Sequence, residues 1–148
     1  MFFGFTHCRV VCPRALQRLC VAIDALGPAA AAVTALYITV DPDRDSPDAM
    51  RRFLEPNYPH FLGLSGRPDA LGAARRAFRI FARRTADSEY PDDYAVPHTA
   101  FTYLLAPDGT YAKHWPATTD AATIASELRA LIDDRAIRPS PCFDQEPR

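Results

Sequence analysis

Two cysteines, Cys8 and Cys12, stand four positions apart where the apolar run from Met1 to Phe5 breaks off, and Pro13 follows the second. Side chains four apart on a helical turn share one face, with Cβ atoms about 5–6 Å apart, so the two thiols can converge on one ion. A tighter turn would bring them to the roughly 3.5–4.5 Å that a disulfide needs. Proline is favoured at the first helical position, where its missing N–H has no partner to lose, which puts Cys12 at a helix N-terminus. The partial positive charge there favours thiolates, the form that binds metal and attacks disulfides. Metal binding and thiol–disulfide exchange are both open to this pair, beside plain burial, because free cysteine packs well in cores.

The rest of the chain must supply a scaffold and partners. At 148 residues it has the size of one domain that can bury its own core. Its 48% apolar and 24% charged residues are those of a globular protein. A formal net charge of −1 gives no electrostatic argument for nucleic acid or an anionic membrane. Positive charge is carried by arginine, with Lys113 the only lysine. The four cysteines, which include Cys20 and Cys142, are too few and too uneven for the disulfide framework of a small secreted scaffold, and one close pair suggests redox or metal work. No stretch approaches the ~20 apolar residues of a membrane span, and the opening run is too short for a signal-peptide core.

Taken in order, residues 1–6 read as a short buried strand, an unusual place for one. Residues 13–26 read as a helix with Leu16, Leu19, Cys20, Ile23 and Leu26 on its apolar face, so Cys20 is expected in the core. Residues 33–40 form the strongest strand, rich in β-branched side chains. It runs into Asp41-Pro42-Asp43-Arg44-Asp45-Ser46-Pro47, where Ser46 is expected to cap, and Pro47 to open, a helix to about Leu54. Asp41, at the strand end, is a candidate carboxylate behind a site. A strand at residues 61–64 leads to a helix from Pro68 to about Arg83, on which Arg75, Arg79 and Arg83 would make a solvated basic stripe. Residues 85–95 have no period and read as a loop that delivers Val96-Pro97-His98-Thr99. Residues 100–105 and 111–115 flank Pro107-Asp108-Gly109 as a hairpin, and a last helix is capped near Thr119 or Asp120. The domain is expected to span residues 1–135, followed by a loosely ordered, proline-rich tail over 136–148.

Strands alternating with helices, closed by a hairpin, make an α/β protein with a mixed sheet flanked by helices. A dithiol between the first strand and first helix is the thioredoxin-like arrangement. Of the four histidines, His7 is expected to point away from its neighbour Cys8, and His60 and His114 have no special placement. His98 enters the hairpin, which in a thioredoxin-like fold lies beside the dithiol helix. Two thiolates and one imidazole would make a three-coordinate soft site suited to copper, above all Cu(I), whereas zinc usually takes four ligands or three plus water.

Phe3-Gly4-Phe5-Thr6-His7-Cys8 with Val11-Cys12-Pro13, Val40-Asp41-Pro42-Asp43-Arg44-Asp45, Phe61-Leu62-Gly63-Leu64-Ser65-Gly66, His98-Thr99 and Pro107-Asp108-Gly109 together resemble the Sco/SenC family. The resemblance covers roughly residues 2–131. It implies a thioredoxin-like copper chaperone that helps assemble the binuclear copper centre of cytochrome c oxidase, with the oxidase's copper-bearing subunit or another copper chaperone as partner. It places the copper ligands, for Cu(I) and also Cu(II), on Cys8, Cys12 and His98, with Asp41 behind them. It also implies a second use of the cysteines as a thiol–disulfide reductant, and a periplasmic or membrane-anchored location.

This chain departs from the family pattern in three places. Arg9-Val10 stands where the family usually carries Pro-Asp between the cysteines, and a cation there should further favour thiolates. Pro97 replaces the Asp common before the histidine and leaves the Val96–Pro97 bond open to either isomer. The family's N-terminal strands and membrane anchor are missing, so the sequence reads as a truncated or soluble variant with uncovered sheet surface and reduced stability.

Overall fold

A computed structural model describes residues 1–137 except 88 and 90–92. Strand β1 (Phe2–Gly4) is followed by helix α1 (Val11–Asp24), a short 3-10 segment (Gly27–Ala32), strand β2 (Ala35–Thr39), helix α2 (Pro47–Leu54), strand β3 (Phe61–Leu64) and helix α3 (Pro68–Ala77). Next come β4 (Thr85–Ala86), β5 (Tyr94–Ala95), the hairpin β6 (Phe101–Leu105) and β7 (Tyr111–Pro116), and helix α4 (Ala121–Ile137). Five strands form one mixed sheet in the order β3-β2-β1-β6-β7. β1 is parallel to β2, with Phe2 beside Tyr37 and Gly4 beside Thr39, and antiparallel to β6.

Period-two geometry sends neighbouring side chains to opposite faces, and β1 is apolar on both because each face is covered. Phe2 packs with Leu16, Leu19 and Ile23 of α1, Ile124 and Leu128 of α4, and Met50 and Leu54 of α2. Phe3 packs on the other side with Ile38, Leu71 of α3, Ile80 and Tyr103. Cys20 is buried in the first cluster, as its place on the apolar stripe of α1 predicts. Ser46 caps α2 by accepting from the Ala49 N–H, and Asp120 takes the same role at α4 with Thr123.

Several local readings need correction. Helix α1 starts at Val11, so Cys12 and Pro13 both lie in its first turn. Proline fits there because the first N–H groups of a helix have no internal acceptor; the first such bond is Arg14 N–H to Val10 O. Helix α3 stops at Ala77, well short of Arg83. Arg79 adopts φ 53°, Ile80 N–H reaches Arg75 O, and Arg79 N–H reaches Arg76 O, which is a Schellman ending. Arginine fills a position where glycine is the usual signal, so the stop was hidden and the basic stripe does not form. Instead the Arg75 guanidinium donates to Ala82 O.

Residues 85–95 contain a small antiparallel ribbon, β4 with β5, where a loop was expected. Among the described residues every peptide bond is trans, so Val96–Pro97 does not take the cis form. Extended backbone there lets His98 bridge to Ala82 and Pro97 O accept from Arg83 N–H. The expectation for the tail, and for Cys142 within it, falls outside the described residues, although residues 136–137 still belong to α4. No helix among the described residues is long and apolar enough to cross a membrane.

Candidate functional site

The loop from Phe5 to Val10 leaves the centre of the sheet and is tied down before the first cysteine. Val40 N–H donates to Gly4 O, and Cys8 N–H donates to Phe5 O. Thr6 gives both its backbone N–H and its hydroxyl to the Asp45 carboxylate, which is fully buried and also accepts from the Thr39 hydroxyl at 2.6 Å. Cys8 then stands half-buried with its Sγ accepting the Cys12 N–H at 3.4 Å, so it fills the cap position that the Val10 side chain leaves open. Cys12, on the inner face of α1, is completely buried. Cys8, Cys12 and Cys20 are free thiols.

His98 is fixed from three sides. Its Nδ1 lies 2.9 Å from Val96 O; a carbonyl can only accept, so Nδ1 carries the proton and Nε2 keeps its lone pair in the neutral ring. The ring stands edge-on to Phe5 at 5.7 Å and to Phe2 at 6.4 Å. Nε2 is thereby held 3.6 Å from Cys12 Sγ. Sulfur and imidazole ligands at about 2.3 Å and about 2.0 Å from one metal are separated by about 3.7 Å when the angle between them is near trigonal, close to the distance found here. Cys8 meets Cys12, and Cys12 meets His98. Among the described residues no three His, Cys, Asp or Glu side chains are already gathered for a metal, so closing the third side falls to Cys8, the exposed member on a loop.

The two sulfurs are electrostatically unlike. Cys8 is pulled down from its ordinary 9.0 to about 5, first through its hydrogen bond with Cys12 and then, against the opposing effect of burial, through backbone N–H groups. Cys12 is pushed far up, because it supplies that hydrogen bond and because it is buried beside the Cys8 charge. The Arg9 guanidinium turns to Asp87 at 3.0 Å and to Asp93 at 3.5 Å.

Asp41 is placed differently from the sequence reading. It is fully buried, yet it accepts from Arg44, Arg84 and the Tyr94 hydroxyl, and no hydrogen bond links it to either cysteine or to His98. The carboxylate that reaches the dithiol loop is Asp45, four residues later, which the sequence reading passed over. His7 is exposed and pairs with the Thr6 hydroxyl, His60 with Asp24, and His114 with the Tyr111 hydroxyl. Gly4 also escaped notice as a site residue. A Cβ there would stand 2.8 Å from Cys12 Sγ and 2.5 Å from Tyr37 Oη, so only glycine lets the sheet come this close beneath the sulfur.

The SCO1/SenC family profile matches residues 1–133. This chain belongs to the SCO1/SenC family. Among its relatives, the mitochondrial SCO2 homolog of Danio rerio is 35% identical over 131 residues, covering 87% of this chain and 47% of that protein. The human mitochondrial SCO2 homolog is 34% identical, with 87% and 49% covered. The SCO1/SenC chain described here thus spans about half the length of these relatives. Of solved structures, Bradyrhizobium japonicum ScoI with copper bound superposes with a TM-score of 0.78 at 34% identity, covering 87% of this chain and 81% of that one. Apo Sco1 from Thermus thermophilus gives 0.76 at 36% identity, with 88% and 76% covered. The thioredoxin-like α/β architecture is shared with these structures.

Proposed function

We propose that this SCO1/SenC chain carries Cu(I) as cargo on Cys8, Cys12 and His98 and passes it to a thiol-bearing acceptor. The observation that carries this reading is His98, held by Val96 O at Nδ1, with its Nε2 3.6 Å from Cys12 Sγ. A plain dithiol mechanism has no use for that imidazole, whereas two sulfurs and one nitrogen make a soft, low-coordinate set that favours Cu(I). Bradyrhizobium japonicum ScoI, whose structure holds copper, supports the same reading. Cys8, half-exposed and with its pKa held low, is the ligand an incoming thiolate would displace, while Cys12 and His98 retain the ion from below.

Delivery to the copper-bearing subunit of cytochrome c oxidase, directly or through another copper chaperone, is the finer form of this proposal. It rests on family resemblance, as does a membrane-associated setting, which the mitochondrial names of relatives support. Asp41 has no direct part in copper holding; its role is to brace Arg44 and Arg84. A second reading, thiol–disulfide exchange without metal, is favoured by a Cys8 pKa held low beside a Cys12 pKa pushed up: Cys8 would attack a target disulfide, and Cys12 would then release the target dithiol and leave the Cys8–Cys12 disulfide.

Anaerobic titration of the reduced protein with Cu(I) against a competing chelator tests the proposal, with Cys8→Ser and His98→Ala alongside. One tight equivalent weakened by both substitutions, with disulfide exchange intact in His98→Ala, supports the copper reading. Absence of tight binding while the dithiol still exchanges moves the assignment to a reductant.

A further inference from the structure

Tyr37 carries a buried hydroxyl that makes no well-formed hydrogen bond in the resting site. The residue is completely buried, and Oη has no hydrogen-bond partner among the described residues. Burying a hydroxyl unpaired is unfavourable, and phenylalanine would fill the same space without that penalty. The ring cannot swing aside, because it is stacked on Phe2 at 6.2 Å with an interplanar angle of 5° and on Phe53 at 6.0 Å. This directs Oη along the sheet to the space beneath the bare Cα of Gly4, which Cys12 Sγ borders from the helix side. The sulfur is the polar atom the hydroxyl faces, and the two groups interact electrostatically. A neutral thiol is a weak acceptor, whereas a thiolate is a strong one.

We propose that Tyr37 is a positioning residue whose hydroxyl is reserved for Cys12: idle while Cys12 is a thiol, it donates to Sγ once that sulfur carries the charge of a metal-bound or reacting thiolate. On loading, Cu(I) takes the place of the Cys12 proton, which passes to solvent, and the sulfur keeps the electron pair that both the ion and the Tyr37 O–H then share. Gly4 is part of the same device, since any side chain there would fill the gap between donor and acceptor. The inference rests on the copper reading for its loaded state, and on the buried sulfur alone for its metal-free state.

Tyr37→Phe removes the hydroxyl and little else. Three readouts are expected: a urea midpoint for the reduced, metal-free protein no lower than the parent's, a Cu(I) affinity weaker by about tenfold or more in the chelator competition, and a shift in Cys12 reactivity without metal. The last is read in a Cys8→Ser background, where the pH midpoint for alkylation of Cys12 should rise by about one unit, the equivalent of that tenfold loss. A clear loss of metal-free stability would mark the hydroxyl as structural and overturn the inference, and so would an unmoved alkylation midpoint. If the parent binds no Cu(I), the copper proposal falls while the alkylation arm still decides for or against Tyr37. If the parent binds and Tyr37→Phe binds equally well, the copper proposal stands and the role of Tyr37 does not.

Discussion

Asp45 and Thr6 are 39 positions apart, and their side chains meet in a 2.6 Å hydrogen bond that fixes the loop two residues before the first thiol. The same carboxylate takes the Thr6 N–H and the Thr39 hydroxyl, so it clamps the exit of β1 to the end of β2. Removing it leaves several buried donors unsatisfied. Asp45→Ala should lower stability by about 2–4 kcal/mol, read by chemical denaturation. Copper affinity should drop with it, because Cys8 loses its anchored start. An unchanged denaturation midpoint would show that the loop is held elsewhere.

The unlike ionisation of the cysteines should shape stability against pH in the reduced, metal-free protein. Cys8 has a folded pKa of about 5 against an ordinary 9.0, so its contribution is complete above about pH 9, shrinks as pH falls, and is gone below about 5. Cys12 is raised, so above pH 9 the unfolded chain sheds a proton the folded one keeps, and stability falls. Urea midpoints should therefore climb from pH 5 to about 9 and turn down beyond. In Cys8→Ser the climb should flatten.

Arg9 offers a contrast with what its position between the cysteines suggests. Its ion pairs with Asp87 and Asp93 are partly exposed, and pairs of that kind contribute at most about 1 kcal/mol. Arg9→Ala should change stability by no more than this and should leave the pH midpoint for Cys8 alkylation where it was. A midpoint moved upward by a full unit would restore the cation to the role the sequence implied.

Gly4→Ala tests how closely the sheet approaches the sulfur. The added methyl would fall inside contact distance of Tyr37 Oη, Tyr37 Cε2 and Cys12 Sγ. Overpacking of this kind costs about 1–3 kcal/mol, and here it should also displace Cys12 from His98. Denaturation and Cu(I) competition should fall together, whereas Gly66→Ala, with open space around it, should leave both alone.

What the sequence made legible was the framework. The two cysteines at a strand-to-helix junction, the histidine at the hairpin entry and the alternation of strands and helices all carry local signals, and each stands where those signals put it. The role of Asp45 was not legible, because Asp41, Asp43 and Asp45 share one turn-rich loop and only the register of β1 on β2 decides which carboxylate meets Thr6. Arg79 hid the end of α3 by sitting in a left-handed position without being glycine. Tyr37 read as an apolar strand residue, since nothing in its neighbours along the chain reveals that Gly4 leaves room for its hydroxyl beneath a sulfur.

β1 lies at the middle of the sheet, yet Phe2 finds its β6 neighbour only at Thr102. During synthesis, then, the first strand and both thiols leave the ribosome long before the segment that completes their surroundings. Until the hairpin emerges, Cys12 has neither its histidine nor its full burial and remains open to oxidants and stray metal. Pairings this distant along the chain also close slowly. Guarding a nascent dithiol is thus a demand this topology places on the cell, ahead of any cargo the finished protein carries.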